Sequence, residues 1–281
     1  MAQWSRPVAI PNQTSKTTSA LALVQGRLHL VHLGASSDNL WHSVWDGTRW
    51  SDNVLVGWLS RGRVAFAQNG LMVYQSGLME PDGSRKLNYS ILTNGQWAPG
   101  QRVPDVTTSW ESPSAVMVSN NVWEVVRQVP NVAYQLYVSR YSLVAGSPPS
   151  IKLIGGKVLN EQSEKTPALA ADQTGLHMVY LYRGSKDIWH SWGSVNQPIP
   201  NQYSRDVPAM ASHNGVLHMT HIGSGSDTIW YSTFAGGQWT PNVPIPNHFS
   251  NKPPAMCSAP DGLHMVHKGA GSDRIWHSIY R

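Results

Sequence analysis

The sequence predicts an all-β fold, a six-bladed β-propeller made of four-stranded antiparallel blades. Three observations carry this prediction. The chain repeats itself with a period of roughly 45 residues, which is typical of stacked or ring-shaped repeat proteins. Its composition suits tight turns and aromatic packing. Its first residues also match the strand that is missing from its last repeat.

The repeat is visible as one His and one Trp that recur four times with the same separation. The recurring pairs are His29 with Trp41, His177 with Trp189, His218 with Trp230, and His264 with Trp276. In each repeat an apolar stretch is interrupted by glycine, serine and aspartate, as in residues 262–278. This pattern predicts two strands joined by a tight turn. Chance does not keep such a spacing four times, so the chain is a tandem repeat.

The composition agrees with a β protein that has many turns. The chain has 24 Gly and 19 Pro, and its 13 Trp far outnumber its 3 Phe. Only 13% of the residues are charged, and a disordered chain would need more charge and fewer aromatics.

The charge pattern argues against a nucleic-acid partner. The net charge of +5 comes from 21 basic and 16 acidic residues, and the basic ones are scattered singly. The chain has no apolar run of the roughly 18 residues that a membrane-spanning helix needs, which predicts no membrane insertion. The N-terminus has no apolar segment of the kind found in a signal peptide. We therefore expect a soluble protein that is either cytoplasmic or released by a non-classical route.

The chain divides into six repeat units within a single domain, residues 1–281. The expected blades are residues 10–54, 55–103, 104–153, 154–198, 199–244, and 245–281 together with 1–9. Residues 10–15 are expected as a loop that enters the first blade, and residues 49–56 as its fourth strand. The second and third units have lost the recurring His and Trp.

The two ends of the chain predict a closed ring. The sixth unit stops after its third strand, and residues 3–8 resemble residues 238–243, the fourth strand of the fifth unit. An N-terminal strand that completes the last blade removes the open sheet edges, as in a propeller. A linear solenoid would instead need capping repeats.

The histidines do not predict a metal site, and no cofactor is expected. His29 and His32 are three residues apart on a strand, so their side chains point to opposite faces. The single cysteine, Cys257, follows apolar residues and is expected to be a buried, inert thiol.

The residues near the turns suggest a carbohydrate site. An aromatic ring can stack on the apolar face of a sugar, while Asp, Asn and His bond its hydroxyl groups. The candidate binding residues are His32, Asp38, Trp41, Tyr180, Asp187, Trp189, His221, Asp227, Trp230, His267, Asp273 and Trp276. One residue fewer separates Asp187 from Trp189, so this Asp is expected to be displaced. A structural alternative is open: repeated His and Ser residues can tie the strands of a blade together.

The repeat resembles those of bacterial and fungal β-propeller lectins, the tectonin-like and fucose-binding groups. The resemblance rests on the unit that starts at Asp261-Gly262-Leu263-His264 and on Gly237-Gln238-Trp239-Thr240-Pro241. It implies a multivalent, non-enzymatic protein whose partners are glycans. Fucose-binding lectins typically use an Arg, a Glu and a Trp per site. This sequence does not repeat an Arg–Glu pair, so the sugar stays open.

Two other functions are kept as alternatives. The first is a protein-binding propeller scaffold. The second is a sialidase-like glycoside hydrolase, for which Glu124 and Arg127 in the divergent third unit are the candidate residues. Whether the protein forms a homo-oligomer is also left open.

Overall fold

The computed structural model describes residues 3–104, 108–130, 132 and 134–281. Six antiparallel sheets follow one another along the chain. Their innermost strands contact one another in sequence, and the sixth contacts the first, so the sheets form a closed ring. The predicted six-bladed β-propeller is confirmed.

The first strand, β1 (Val8–Thr14), belongs to the sixth blade. The first blade contains β2 (Ala20–Val24), β3 (Arg27–Leu33), β4 (Asn39–Val44) and β5 (Val54–Leu59). The second contains β6 (Ala65–Phe66), a 3-10 turn (Gln68–Gly70), β7 (Leu71–Met79), β8 (Arg85–Thr93), β9 (Gln96–Trp97), β10 (Gln101–Arg102) and β11 (Thr108–Ser109).

The third blade contains β12 (Ser114–Ser119), β13 (Val122–Gln128), β14 (Gln135–Val144) and β15 (Ser150–Gln162). The fourth contains β16 (Ala168–Asp172), β17 (Gly175–Leu181), β18 (Asp187–Trp192) and β19 (Val195–Tyr203). The fifth contains β20 (Ala209–His213), β21 (Val216–Ile222), β22 (Thr228–Ala235), β23 (Gln238–Trp239) and β24 (Val243–Phe249), and the sixth β25 (Ala255–Ala259), β26 (Gly262–Lys268) and β27 (Arg274–Tyr280).

The ring closes through the N-terminal segment, as the sequence predicted. β1 pairs with β27, and the backbone N–H of Ser5 donates to the carbonyl of Ile279 at 2.8 Å. The closing strand lies later in the chain than expected, because Trp4 makes only an isolated bridge to Tyr280 and the strand begins at Val8. Residues 10–14, expected as part of a loop, continue the outer strand of the sixth blade.

A β-bulge explains why the sequence of residues 10–14 resembles that of a loop. Asn12, Asn201 and Asn247 have positive φ angles of 56°, 57° and 63°, and each lies where the register of an outer strand shifts. Asn tolerates this left-handed conformation, and the strand bends there without ending. A Pro-Asn pair therefore marks a bend within the outer strand.

The fourth strand of the first blade also differs from expectation, because it covers Val54–Leu59 and not residues 49–56. The carboxylate of Asp46 accepts the backbone N–H groups of Thr48 and Arg49, each at 2.8 Å, and closes a turn. Beyond this turn, Trp50 makes only an isolated bridge to Trp45 before the strand begins.

Most of the apolar surface is buried between neighbouring blades. One cluster, for example, joins Val179 and Ile188 of the fourth blade to Met219 and Phe234 of the fifth. Each blade therefore has two buried faces, and a side chain's face decides which neighbouring blade it meets.

Candidate functional site

The first histidine of each repeat lies in an interface between blades. Nδ1 of His29 lies 2.8 Å from Nε2 of His42, and the same contact joins His177 to His190 at 3.1 Å and His264 to His277 at 2.8 Å. In the fifth blade, Nδ1 of His218 meets the hydroxyl of Tyr231 at 2.6 Å. These side chains support the structural alternative for this position.

An indole from the following blade covers each of these pairs. Trp97 lies edge-on to His42 with ring centroids 5.5 Å apart, and Trp239 lies edge-on to His190 at 5.3 Å. Trp50 meets His277 at 5.3 Å, and Trp4 meets Tyr231 at 5.7 Å. The pair and the indole pack together across the interface. Burial lowers the pKa of both His29 and His42 to about 4.

The structure brings together the ring residues of each predicted binding set. His32 pairs across the sheet with Trp41, Tyr180 with Trp189, His221 with Trp230, and His267 with Trp276. Cross-strand partners share a face of the sheet. The four Trp side chains are half-buried, whereas His32, Tyr180, His221 and His267 are buried.

The buried members of these sets already have partners in three blades. The side-chain amides of Asn53 and Asn242 contact Nε2 of His32 and His221 at 3.2 and 3.3 Å, and the Tyr180 hydroxyl donates to Asn196 at 2.8 Å. Burial lowers the pKa of His221 to about 4.

The aspartates of the predicted sets lie at the turns, and three of them have cationic partners. Asp38 pairs with Lys16 and, at 2.8 Å, with Arg61. Asp227 pairs with Arg205, and Asp273 with Lys268 at 3.0 Å. Asp187 begins β18 opposite Tyr203. These carboxylates connect loops, and a ligand would have to compete with their ion pairs.

A groove of about 550 Å³ opens between the third and fourth blades. We call it the 3/4 groove. Its apolar lining comes from Val138, Val158, Leu159, Leu176 and Met178. Here the outer strand of the fourth blade, β19, begins at Val195 and brings no counterpart of Trp97 or Trp239. The space that an indole fills in other interfaces is open.

An ion pair lies in the 3/4 groove, and one of its members takes the place of the first histidine of the repeat. Glu124 occupies the position of His29, and its Oε1 accepts from Nε of Arg140 at 2.9 Å and also from Nη2. The side chain of Glu124 is 8% exposed and that of Arg140 is 53% exposed, so the guanidinium is accessible to a ligand. A carboxylate held by two donors of one guanidinium is fixed in orientation.

Sequence reasoning missed Arg140 and paired Glu124 with Arg127. Arg127 lies three residues along the same strand and therefore points to the other face, where its guanidinium packs 5.1 Å from the Tyr137 ring centroid. Alignment of the third unit with the repeat, together with the missing Trp of the fourth, was the signal that could have found this groove.

A second groove, of about 580 Å³, opens between the fifth and sixth blades. We call it the 5/6 groove. Trp4, Tyr231 and Tyr280 form an aromatic wall, which faces the segment Val243–Asn247. Trp4 lies 5.5 Å from Tyr280 and 5.7 Å from Tyr231 between ring centroids. This groove is more apolar than the 3/4 groove, and Arg6 is its cation.

Three buried polar atoms behind the 5/6 groove have no hydrogen-bond partner among the described residues. They are Nε2 of His248, Nε2 of His267 and Oγ of Ser278. In two other interfaces a glutamine occupies the position of His248. Gln13 accepts from Ser43 at 3.1 Å, and Gln202 accepts from Ser232 at 2.9 Å. The histidine cannot reproduce the amide's pair of contacts.

Replacing His248 with glutamine is expected to stabilise the fold. The new amide would accept from Ser278 and donate to the backbone at Ser5, as Gln202 does at Thr240 at 3.0 Å. We expect a gain of about 1 kcal/mol in the free energy of unfolding, measured by urea denaturation. The converse variant Gln202→His should lose a similar amount. Equal free energies of unfolding for the unsubstituted protein and the two variants would contradict this explanation.

Other functional groups have simple explanations. Cys257 is buried, as predicted, and burial raises the pKa of its thiol to about 12. Within the described ranges, no three His, Cys, Asp or Glu side chains cluster as metal ligands would. The described residues also contain no helix long and apolar enough to cross a bilayer.

No protein-family model and no curated protein sequence matches the chain. Solved structures do match. The AofleA protein from Arthrobotrys oligospora superposes with a TM-score of 0.63 at 12% identity, over 100% of this chain and 87% of the other. A variant of the Aleuria aurantia lectin in complex with α-methyl-L-fucoside gives 0.63 at 9% identity, over 96% and 93%.

A Trypanosoma rangeli sialidase bound to the inhibitor DANA gives a TM-score of 0.61 at 13% identity, over 99% of this chain. Only 58% of the sialidase is covered. At these identities the similarity concerns the fold alone. The chain therefore has the six-bladed propeller fold that fucoside-binding lectins and sialidases share.

Proposed function

We propose that the protein binds carbohydrates without turning them over, and that the 3/4 groove is its principal site. The observation that carries the proposal is the Arg140–Glu124 pair in an open groove between two blades. Lectins of the same fold, among them one seen with α-methyl-L-fucoside, agree with this choice of ligand.

The chemistry of the 3/4 groove fits a small, hydroxyl-rich ring. Arg140 presents free guanidinium donors, while Asn160 and Asn196 add amide groups at the lining. Leu176 and Met178 offer an aliphatic surface for the C–H face of a sugar. Fixed polar groups beside an apolar surface are typical of small-molecule sites.

The 5/6 groove is our second candidate for a sugar. Its aromatic wall of Trp4, Tyr231 and Tyr280 can stack on a pyranose ring, and Arg6 can bond a hydroxyl group. The two grooves differ in their side chains, so we propose unequal sites rather than several equivalent ones. Binding at both would still add avidity towards a branched glycan.

The rim sets predicted from the sequence remain a separate proposal. Trp41, Trp189, Trp230 and Trp276 are half-buried and could contact a ligand at the disc surface. Their neighbouring histidines are buried, so the exposed indoles and the turn aspartates would provide the contacts.

Binding is favoured over hydrolysis by the contacts of Glu124. A glycosidase needs one protonated carboxyl group as a general acid beside a second carboxylate. Glu124 accepts from two nitrogens of Arg140, so its carboxylate oxygen is already engaged by the guanidinium. Glu161 lies in the same groove and accepts from Ser191 at 2.5 Å. A screen of fluorogenic glycosides, sialosides included, should release no product. Release that is lost in Glu124→Gln would favour the hydrolase.

A glycan array followed by calorimetry tests the 3/4 groove. The double variant Glu124→Gln/Arg140→Gln removes both charges together, so neither is left buried alone. We expect it to lose at least about tenfold in affinity, because charge-assisted hydrogen bonds are lost. Arg102→Gln, which removes an exposed charge on the second blade, is the matched control.

The same array separates the candidate sites. Trp4→Phe alters the 5/6 groove, whereas Trp230→Ala and Trp276→Ala alter the rim. Loss of binding only in the rim variants, with their melting temperatures unchanged, would move the site to the predicted sets. Binding to no glycan, together with one tight protein partner, would replace the lectin hypothesis with the scaffold.

A further inference from the structure

The central channel has a polar mouth where loops from all six blades meet. The mouth encloses a cavity of about 220 Å³. Each blade contributes the residue that lies two positions after a repeated serine. These residues are Thr17, Gly62, Glu111, Lys165, Asp206 and Lys252. The cavity is thus built by the repeat itself, at the axis of the ring.

A buried serine fixes five of these loops. Ser15 donates to the carbonyl of Thr17 at 2.9 Å, and Ser60, Ser109, Ser204 and Ser250 donate in the same way at 2.5–2.9 Å. In the fourth blade, Ser163 donates instead to Leu181 at 2.8 Å. Because the serine bonds a backbone carbonyl, the turn forms whatever side chain follows it.

The repeated and the varied positions of these loops therefore have different meanings. The serine is the same in each loop because each blade must make the same turn. The axial residue is lysine in the fourth and sixth blades and a different residue in each of the other four, although all six occupy equivalent places. One asymmetric cavity results, with a separate chemical contribution from each blade.

The charges at the mouth are fixed and unbalanced. The guanidinium of Arg63 reaches from the second blade to the fourth, where it donates to the carbonyl of Thr166 at 2.9 Å. Lys165 pairs with Asp206 at 2.8 Å. With Lys252, three cations face only two carboxylates, those of Asp206 and Glu111. Among the described residues, no side-chain partner is found for the Lys252 ammonium.

We propose that this mouth binds a small oxyanion, the carboxylate of a compact organic acid or inorganic phosphate. Arg63 provides oriented donors, Lys252 provides the unpaired charge, and the hydroxyls of Thr17 and Ser112 can add hydrogen bonds. The site lies on the ring axis and is separate from the grooves between blades. It does not depend on whether those grooves bind sugars.

Titration calorimetry with phosphate, acetate and lactate, at constant ionic strength in chloride, tests this proposal. We expect saturable binding of at least one probe. Lys252→Met should weaken binding about tenfold, because it removes one charge-assisted contact. Glu111→Gln should strengthen binding, since it removes a negative charge from the cavity. General damage to the fold would not produce this opposite change.

Lys152→Met is the matched control, because Lys152 is exposed on the outer strand of the third blade. It should leave affinity unchanged. Absence of saturable binding by all three probes would overturn the proposal, as would equal weakening by Lys152→Met and Lys252→Met. Binding that survives Glu124→Gln/Arg140→Gln would support a site separate from the 3/4 groove.

Discussion

Lowering the pH from 6.5 to 4 is expected to unfold this protein cooperatively. Seven histidines have low pKa values in the folded state because they are buried. The pKa is about 4 for His29, His42, His218, His221 and His267, and about 3 for His190 and His277.

The direction of the pH effect on stability follows from whether the folded or the unfolded state binds more protons. In the unfolded chain a histidine takes up a proton near its ordinary pKa of 6.5, whereas the buried ring stays neutral down to about 4. The unfolded state is therefore stabilised as the pH falls through this window. At pH 4, each such histidine has lowered the free energy of unfolding by about 3 kcal/mol. Several together would exceed the roughly 5–15 kcal/mol that stabilises a typical domain.

Near-ultraviolet circular dichroism against pH measures the acid midpoint. The fifth blade suggests the variant, since Tyr231 occupies the position of His42 and bonds His218 at 2.6 Å. His42→Tyr keeps such a contact and removes one titrating ring, so its midpoint should move to lower pH. His213→Gln, at a half-exposed position, should move the midpoint less. An unchanged midpoint in His42→Tyr would contradict this explanation.

Deleting residues 1–9 is expected to lower the melting temperature by more than about 10 °C. The deletion removes the partly buried Trp4 from its contacts with Tyr231 and Tyr280, and its loss costs a share of the about 3–5 kcal/mol that a fully buried aromatic side chain contributes. It also removes the backbone hydrogen bond from Ser5 to Ile279 and exposes the edge of β27. Each lost kcal/mol lowers the melting temperature by roughly 2–4 °C.

The melting temperatures of the truncated protein, Trp4→Ala and Val8→Ala, measured by calorimetry, separate the effect of ring closure from that of side-chain packing. Trp4→Ala should account for part of the loss, and the truncation should lose more because the strand pairing is also gone. Val8→Ala is the control, since Val8 lies in β1 but is 67% exposed. A truncated protein that melts with the full chain would show that the segment does not hold the ring closed.

The sequence predicted the propeller because its repeat places the same side chains at equivalent packing positions in several blades. The spacing between His29 and Trp41 sets a strand–turn–strand unit in every complete repeat, and period-two alternation then sends His29 and His32 to opposite faces. The outer strands were harder to predict. Their Pro-Asn pairs resemble turns, whereas in the structure Asn12 bends a strand that continues.

The candidate site was less predictable because it occurs where the repeat fails. Every complete repeat has a Trp at the same position, and the prediction therefore favoured residues such as Trp230 and Trp276. The 3/4 groove depends on the lack of a Trp in β19 and on two residues of the third blade that depart from the repeat, Glu124 and Arg140. Their contact joins β13 to β14, and only the register of these strands shows that the side chains share a face.

The serine turns at the mouth separate two requirements that most binding sites combine. Folding depends on the hydroxyl of Ser204 and the carbonyl of Asp206, whereas the chemistry of the axis depends on the Asp206 side chain. A substitution at an axial position such as Asp206 leaves the hydrogen bond of the turn in place, because that bond joins the serine hydroxyl to a backbone carbonyl. The channel mouth is where this architecture can evolve a new ligand specificity, or be given one by design, while the rest of the ring stays as it is.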